Sequence, residues 1–305
     1  MPSDRFHVRR AVGRGANGVV YEAWDSEQSE RVALKTFQRT AGAGPRAGHR
    51  ELEVLARLRH PNVVAVKEIV RDPDGTTRAI AMEFVDGVDV VSHLRRGISS
   101  EDQPTLHNMN TPSPAIRVRA PDVPGLMPDF TLVTRAMLQL VDALDALHGV
   151  NLVHRDVKPG NTLVEMSGRL VLLDFDLVSA PGRTYRGAPG SLPYAAPEQL
   201  SGDFSPASDL YGAGAILFEV LVGAPPFVGT AQEIRAAKLD GPPAHPLRLV
   251  PSLSGRLADL AFDLMRLNPT ERPTADEVWR RLGRQGGARG ITSAPPANRT
   301  RRGRT

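Results

Sequence analysis

Apolar residues cluster in three short runs near the amino terminus, Phe6–Val12, Val19–Trp24 and Arg31–Phe37, each rich in valine or aromatic side chains. Runs of this kind, separated by Gly/Asn and Asp/Ser/Glu turns, predict three β-strands. A helical repeat follows. In Arg50–Leu58 the residues Leu52, Leu55 and Leu58 recur every third position, which lays one apolar stripe along a helix, and His60-Pro61-Asn62 ends it. Two further strands, near Val63–Val70 and Arg78–Phe84, flank the turn Asp72-Pro73-Asp74-Gly75. From about Asp89 the helical period takes over. It is clearest in Phe130–His148, where Leu132, Val133, Ala136, Met137, Leu140, Val141, Leu144 and Leu147 keep a 3.6-residue repeat. The pattern predicts an α+β chain, with a small sheet lobe over residues 6–84 carrying one main helix and a larger, mostly helical lobe over residues 85–283. Between Gly97 and Pro128 no period survives, so an inserted loop of about residues 97–128 is expected. Residues 284–305, with Gly286-Gly287 and Pro295-Pro296, read as a basic disordered tail.

Composition narrows the function classes. The 305 residues are 41% apolar and include no cysteine, so a core of ordinary size forms without disulfides or thiolate metal sites. A net charge of +4 and a pI near 9.7 suggest an anionic partner. Residues 285–305, however, hold five arginines and no acid, leaving 33 basic against 34 acidic groups in the other 284 residues. The excess belongs to the tail, and nucleic acid is not an expected partner; a nucleic-acid-binding tail is a weaker alternative. Only four basic residues are lysines, Lys35, Lys67, Lys158 and Lys238. The most apolar stretch, Ala213–Ala224, is short and contains Glu219, so no membrane span is expected. MPSDRFHVRR at the start lacks an apolar signal core. A cytoplasmic location is expected.

Candidate chemistry begins with Gly13-Arg14-Gly15-Ala16-Asn17-Gly18. A GxGxxG run marks a dinucleotide site when a helix follows, but Val19–Trp24 is strand-like, so the glycines sit in a hairpin whose amides can cover phosphates. Lys35, in the next strand, has a possible carboxylate partner in Glu51 on the following helix, and a paired lysine is a fixed cation suited to phosphate oxygens. The most specific block is His154-Arg155-Asp156-Val157-Lys158-Pro159-Gly160-Asn161, then Asp174-Phe175-Asp176 and Ala196-Pro197-Glu198. In this order and spacing the chain resembles the eukaryotic-type serine/threonine protein kinases over residues 6–283, on their bacterial side.

The resemblance implies a two-lobed protein-kinase fold, ATP as phosphoryl donor, Mg²⁺ (or Mn²⁺) as metal, and protein substrates. Asp156 would orient or deprotonate the substrate hydroxyl, a role worth about 10²–10⁴ in rate, and Lys158 would neutralise the transferring phosphate. Asn161 and Asp174 offer the oxygen ligands magnesium prefers. Gly13, Gly15 and Gly18 would cover the phosphates. Val20, Ala33 and Leu163 would sandwich the adenine, with Met82 behind it and Glu83–Val85 as the hinge between lobes. Leu55, His154 and Phe175 would stack into a spine. Gly190–Glu198 would be the peptide-docking end of an activation segment, where Ser191 meets Asp156 and Lys158 and Glu198 pairs with Arg272. Asp209 would hold the catalytic-loop backbone. Arg155 would receive a phosphate on Thr184, the expected autophosphorylation site. Dimerisation is compatible with this picture.

One position departs from the family. Asp176 stands where a glycine is expected, which restricts positive φ and bears on switching of the loop more than on ATP affinity. Alternatives to an active kinase are therefore a kinase-shaped scaffold that binds nucleotide or partners without efficient transfer, and a small-molecule phosphotransferase. The Gly190–Glu198 segment argues against the latter.

Overall fold

The computed structural model describes residues 5–15, 18–37, 49–72, 77–95, 127–181 and 191–283. The first lobe comprises β1 (Phe6–Gly15), β2 (Gly18–Asp25), β3 (Glu30–Phe37), helix α1 (His49–Arg57), β4 (Val66–Arg71) and β5 (Thr77–Glu83). Its strands form one antiparallel sheet in the order β1-β2-β3-β5-β4. The expected elements are present, with shifted ends.

Register sorts the side chains, because successive residues of a strand point to opposite faces. The pairs Tyr21–Leu34, Ala23–Val32 and Leu34–Ala81 share one face, and Ala23, Val32, Leu34 and Ala81 form a small core there with Phe6 and Ala79. The pairs Val20–Lys35, Ala33–Met82 and Lys35–Ile80 fall on the other. On that side α1 buries Leu52 and Leu55 in the main core with Phe37 and Ile80.

The strand expected at Val63 begins at Val66 instead. Val63 and Val64 turn toward the second lobe: Val63 makes a parallel bridge with Leu172, and the Val64 N–H donates to the Leu172 carbonyl at 3.0 Å. Both valines are buried, so this apolar pair seals the junction between lobes rather than extending the sheet.

The second lobe contains a small sheet of β6 (Gly87–Asp89), β7 (Thr162–Glu165) and β8 (Leu170–Leu172), and helices α2 (Val90–Leu94), α3 (Phe130–Gly149), α4 (Pro206–Val222), α5 (Ala231–Asp240), α6 (Pro246–Leu249), α7 (Gly255–Leu264) and α8 (Ala275–Leu282). Asp129 caps α3, its carboxylate accepting from the Thr131 and Leu132 N–H groups. The α3 stripe is buried as expected except at Leu132, which is exposed at the first turn. Helix α4 is buried nearly all round, the mark of a central helix, and α3 and α7 pack on it. Among the described residues no helix is long and apolar enough to cross a membrane. Of the expected loop at 97–128 only Met127 and Pro128 are described; the expected tail at 284–305 and Thr184 lie outside the described residues.

Candidate active site

The glycines of the first motif sit in the β1–β2 hairpin, where Gly15 pairs with Gly18. Glycine is required at 18. A Cβ there would lie 1.9 Å from the Thr36 carbonyl oxygen on β3, so any side chain would push the hairpin off the sheet. Beneath it, Val20, Ala33, Lys35 and Met82 share a sheet face through their pairing. Leu163 is half-buried on β7. At the junction, Glu83 accepts a bond of 2.7 Å from Arg169 in the β7–β8 turn, with Val85 partly buried two residues on.

The loop between α3 and β7 is shaped from below by Asp209, in the first turn of α4. This carboxylate is fully buried and accepts from the main-chain N–H of His154 at 2.8 Å and of Arg155 at 2.7 Å, and it lies 2.9 Å from His148 Nε2. Arg155 is thereby held at φ 70°, a left-handed conformation that costs a non-glycine residue about 1–3 kcal/mol. Gln199 completes the clamp, its Nε2 donating to the Arg155 carbonyl at 2.9 Å and its Oε1 accepting from the Ala196 N–H at 2.8 Å.

The clamped loop brings four of the expected groups together. Lys158 Nζ donates to Asp156 Oδ2 at 2.7 Å, and Asn161 Nδ2 donates to the same oxygen and to the Asp156 carbonyl, each at 2.9 Å. Ser191 meets Asp156 through its main chain, the N–H donating to Oδ1 at 3.1 Å. Across the cleft, Lys35 Nζ is 2.5 Å from Asp174 Oδ1 and 2.7 Å from Asp176 Oδ2. Burial alone would lower the pKa of Lys35, but the two aspartates outweigh it and hold the value above the usual lysine range. Burial alone would raise the Asp174 carboxyl, but the Lys35 ammonium, the Asp176 N–H and His154 hold it below the usual range. Asp174, like Arg155, is left-handed, at φ 61°. Glu51, the partner expected for Lys35, is buried on α1, but the carboxylates that meet Lys35 here are those of Asp174 and Asp176.

Behind the site, His154 stacks edge-on against Phe175 with ring centroids 5.7 Å apart, and its Nε2 lies 2.8 Å from the Leu173 carbonyl oxygen. Leu55 and Phe175 belong to the same buried cluster. Glu198 and Arg272 form a two-pronged pair at 2.7 and 2.8 Å, and the fully buried guanidinium also reaches the carbonyls of Ala207, Arg266 and Leu267. Burial tends to raise Glu198, yet Arg272 and the Ser208 hydroxyl keep its pKa below the usual carboxylate range.

The donor set suits magnesium. The Asn161 amide nitrogen is spent on Asp156, which leaves its oxygen as the atom that would serve a cation, with the Asp174 carboxylate as the second expected ligand. Among the described residues no group of three or more His, Cys, Asp or Glu side chains forms a metal cage. A hard ion held by two protein oxygens, with phosphates and water completing its shell, is the arrangement Mg²⁺ favours.

Several contributors have no motif to announce them: Asp176 as a partner of Lys35, Gln199 and His148 as props of the loop, and Lys238. For Lys238 a signal exists, since it follows Ile234 by one helical turn and shares the buried side of α5.

Comparison with known proteins agrees with this geometry. The family described as protein kinase domain matches residues 6–281. The chain is 31% identical over 306 residues to the serine/threonine-protein kinase PkaA of Streptomyces coelicolor, covering 91% of this chain and 49% of that protein. It is 32% identical over 296 residues to PknA of Mycobacterium tuberculosis, covering 90% and 61%, and 30% identical over 284 residues to PknE of the same species, covering 88% and 43%. The chain thus spans about half the length of these relatives, all of them named serine/threonine-protein kinases. With its two lobes, its clamped Asp156 loop and a match running through nearly all the described residues, the chain belongs to the protein kinase domain family.

Proposed function

We propose that the chain transfers the γ-phosphoryl group of ATP to serine or threonine hydroxyls of proteins, with Mg²⁺ held by Asn161 and Asp174. The observation that carries this reading is the convergence of Lys158, Asn161 and the Ser191 N–H on Asp156, opposite Lys35 and Asp174. Phosphoryl transfer needs position and charge neutralisation more than covalent help.

Asp156 Oδ1 and Oδ2 orient the acceptor hydroxyl and take up its proton, while Lys158 places a cation between that carboxylate and the incoming phosphate. Lys35 is the second cation and binds phosphate oxygens that take over from its aspartate partners. Held by Asn161 and Asp174, the metal would supply positive charge to offset that of the phosphates. Glu51 supports Lys35 from α1, and Gly13, Gly15 and Gly18 shield the phosphates from water. Val20, Ala33, Met82, Glu83, Val85 and Leu163 form the base-binding side. Asp209, Arg272 and Glu198 hold the loops in register. Thr184 remains the proposed autophosphorylation site, with Arg155 as its partner.

The test is transfer of labelled phosphate from ATP to casein and to the chain itself. Asp156→Ala should lower kcat by about 10²–10⁴ while leaving nucleotide binding in place, and Asp174→Asn should abolish magnesium dependence together with activity. Wild-type chain that binds MgATP yet transfers no phosphate would reject the proposal.

A further inference from the structure

Lys238 on α5 is fully buried and takes no part in the transfer described above. An ammonium is seldom found inside a protein without compensation, because burial disfavours its charge. Here burial pushes the pKa down to about 7, with Glu198 raising it and Arg272 lowering it further. The compensation is specific. Three acceptors match the three protons of the cation: the carbonyl oxygens of Pro193 at 3.2 Å and Ala195 at 2.8 Å, and the Tyr211 hydroxyl at 3.1 Å. The rings of Tyr211 and Phe227 flank it at 4.7 and 4.4 Å, an arrangement that favours a positive charge.

The two carbonyls belong to the stretch Ser191–Ala196, whose other attachments lead toward the reacting centre. The Ser191 N–H bonds Asp156, the Tyr194 and Ala195 N–H groups return to the Ser191 carbonyl at 3.0 and 3.1 Å, and the Tyr194 hydroxyl donates to Glu219 at 2.7 Å. One end of the stretch is thus tied to the catalytic carboxylate, and Lys238 ties its middle to α4 and α5.

We propose that Lys238 is a positioning residue for the protein substrate, fixing the main chain of residues 191–196 in the form against which a polypeptide docks. The inference rests on reading Gly190–Glu198 as the docking segment. Lys238→Met keeps the volume of the side chain and strips Pro193 and Ala195 of this donor, so the stretch loses its anchor on α5 while the nucleotide side of the cleft is untouched.

The experiment uses the full chain with casein and MgATP. In Lys238→Met the KM for casein should rise about tenfold, the scale of a lost charge-assisted hydrogen bond, with the KM for ATP and the nucleotide Kd within about twofold of wild type. Lys238→Gln, whose amide still offers two protons, should recover part of the loss. A casein KM equal to wild type, or a KM for ATP that rises in parallel, overturns the inference. If Lys238→Met does not fold, Lys238→Gln is read by the same two criteria. Amide hydrogen exchange across residues 191–196 supplies a readout independent of catalysis: it should quicken in the variant, and unchanged exchange counts against the clamp. Should wild-type chain transfer no phosphate, the proposed reaction falls and the clamp is decided on exchange alone.

Discussion

Two residues of the candidate site sit in a backbone conformation that their side chains disfavour, Arg155 at φ 70° and Asp174 at φ 61°. Each is over-determined, the first by two main-chain clamps from Asp209 and Gln199, the second by Lys35 and the Asp176 N–H. Asp176, which replaces the family's glycine, is not among the left-handed residues. Its aspartate therefore carries no backbone penalty, and its distinctive effect is a second negative charge on Lys35. The geometry adds a contact with the phosphate-binding cation to the effect on loop switching expected from sequence. Asp176→Gly should leave Lys35 freer for phosphate and tighten nucleotide binding by about three- to tenfold, the size of a partly compensated ionic hydrogen bond. Calorimetric titration with ADP, with and without Mg²⁺, measures it; identical affinities for the two forms would show that Asp176 and phosphate do not compete.

At the scale of elements, the Asp156 loop rests on the first turns of α4, and the fit leaves no spare room. A Cβ on Gly212 would stand 2.8 Å from Val157 Cβ and 2.9 Å from the Val157 carbonyl oxygen. A Cβ on Gly160, within the same loop, would meet nothing within 4 Å. Gly212→Ala should therefore cost about 1–3 kcal/mol of stability through overpacking and lower kcat by displacing the residue next to Asp156. Gly160→Ala should be neutral or stabilise by up to about 1 kcal/mol, through the unfolded chain. Thermal melts and steady-state kinetics of the pair give the comparison, and equal effects at both positions would contradict the packing argument.

Across the whole molecule, the Glu198–Arg272 pair joins the end of the stretch 191–198 to the chain preceding α8, with Ser208 of α4 as a third member. Removing one partner of such a buried pair leaves an uncompensated charge, so Arg272→Leu should cost about 3–5 kcal/mol, read from the midpoint of urea unfolding. The pair also sets part of the acid sensitivity. Glu198 has a folded pKa below its ordinary value because Arg272 and Ser208 outweigh burial, and Asp263 likewise because Arg281 and Arg266 outweigh burial. For carboxylates of this kind the unfolded chain binds more protons than the folded one between the two pKa values. Their stabilisation is complete above the unfolded value of about 4 and is lost as pH falls through the lower, folded value. The Tm should be flat on this account from neutrality to about pH 5 and fall below about pH 4, and the fall should be shallower in Arg272→Leu.

The local features of this chain were legible in its sequence because they depend on neighbours a few residues apart. Runs of valine and aromatic residues between turns set the strands, the stripe Leu52-Leu55 set α1, and the spacing from Asp156 to Lys158 and Asn161 is short enough that one loop brings both to the same Asp156 oxygen. Long-range partnerships were not legible in that way. That Val63 and Val64 would seal the lobes rather than pair in the sheet, that Asp176 would share Lys35 with Asp174, and that Lys238 would reach back to Pro193 and Ala195 all join residues far apart in the chain. The physical reason is desolvation. A buried charge or main-chain acceptor must find a partner wherever packing supplies one, and packing is decided only when the elements meet.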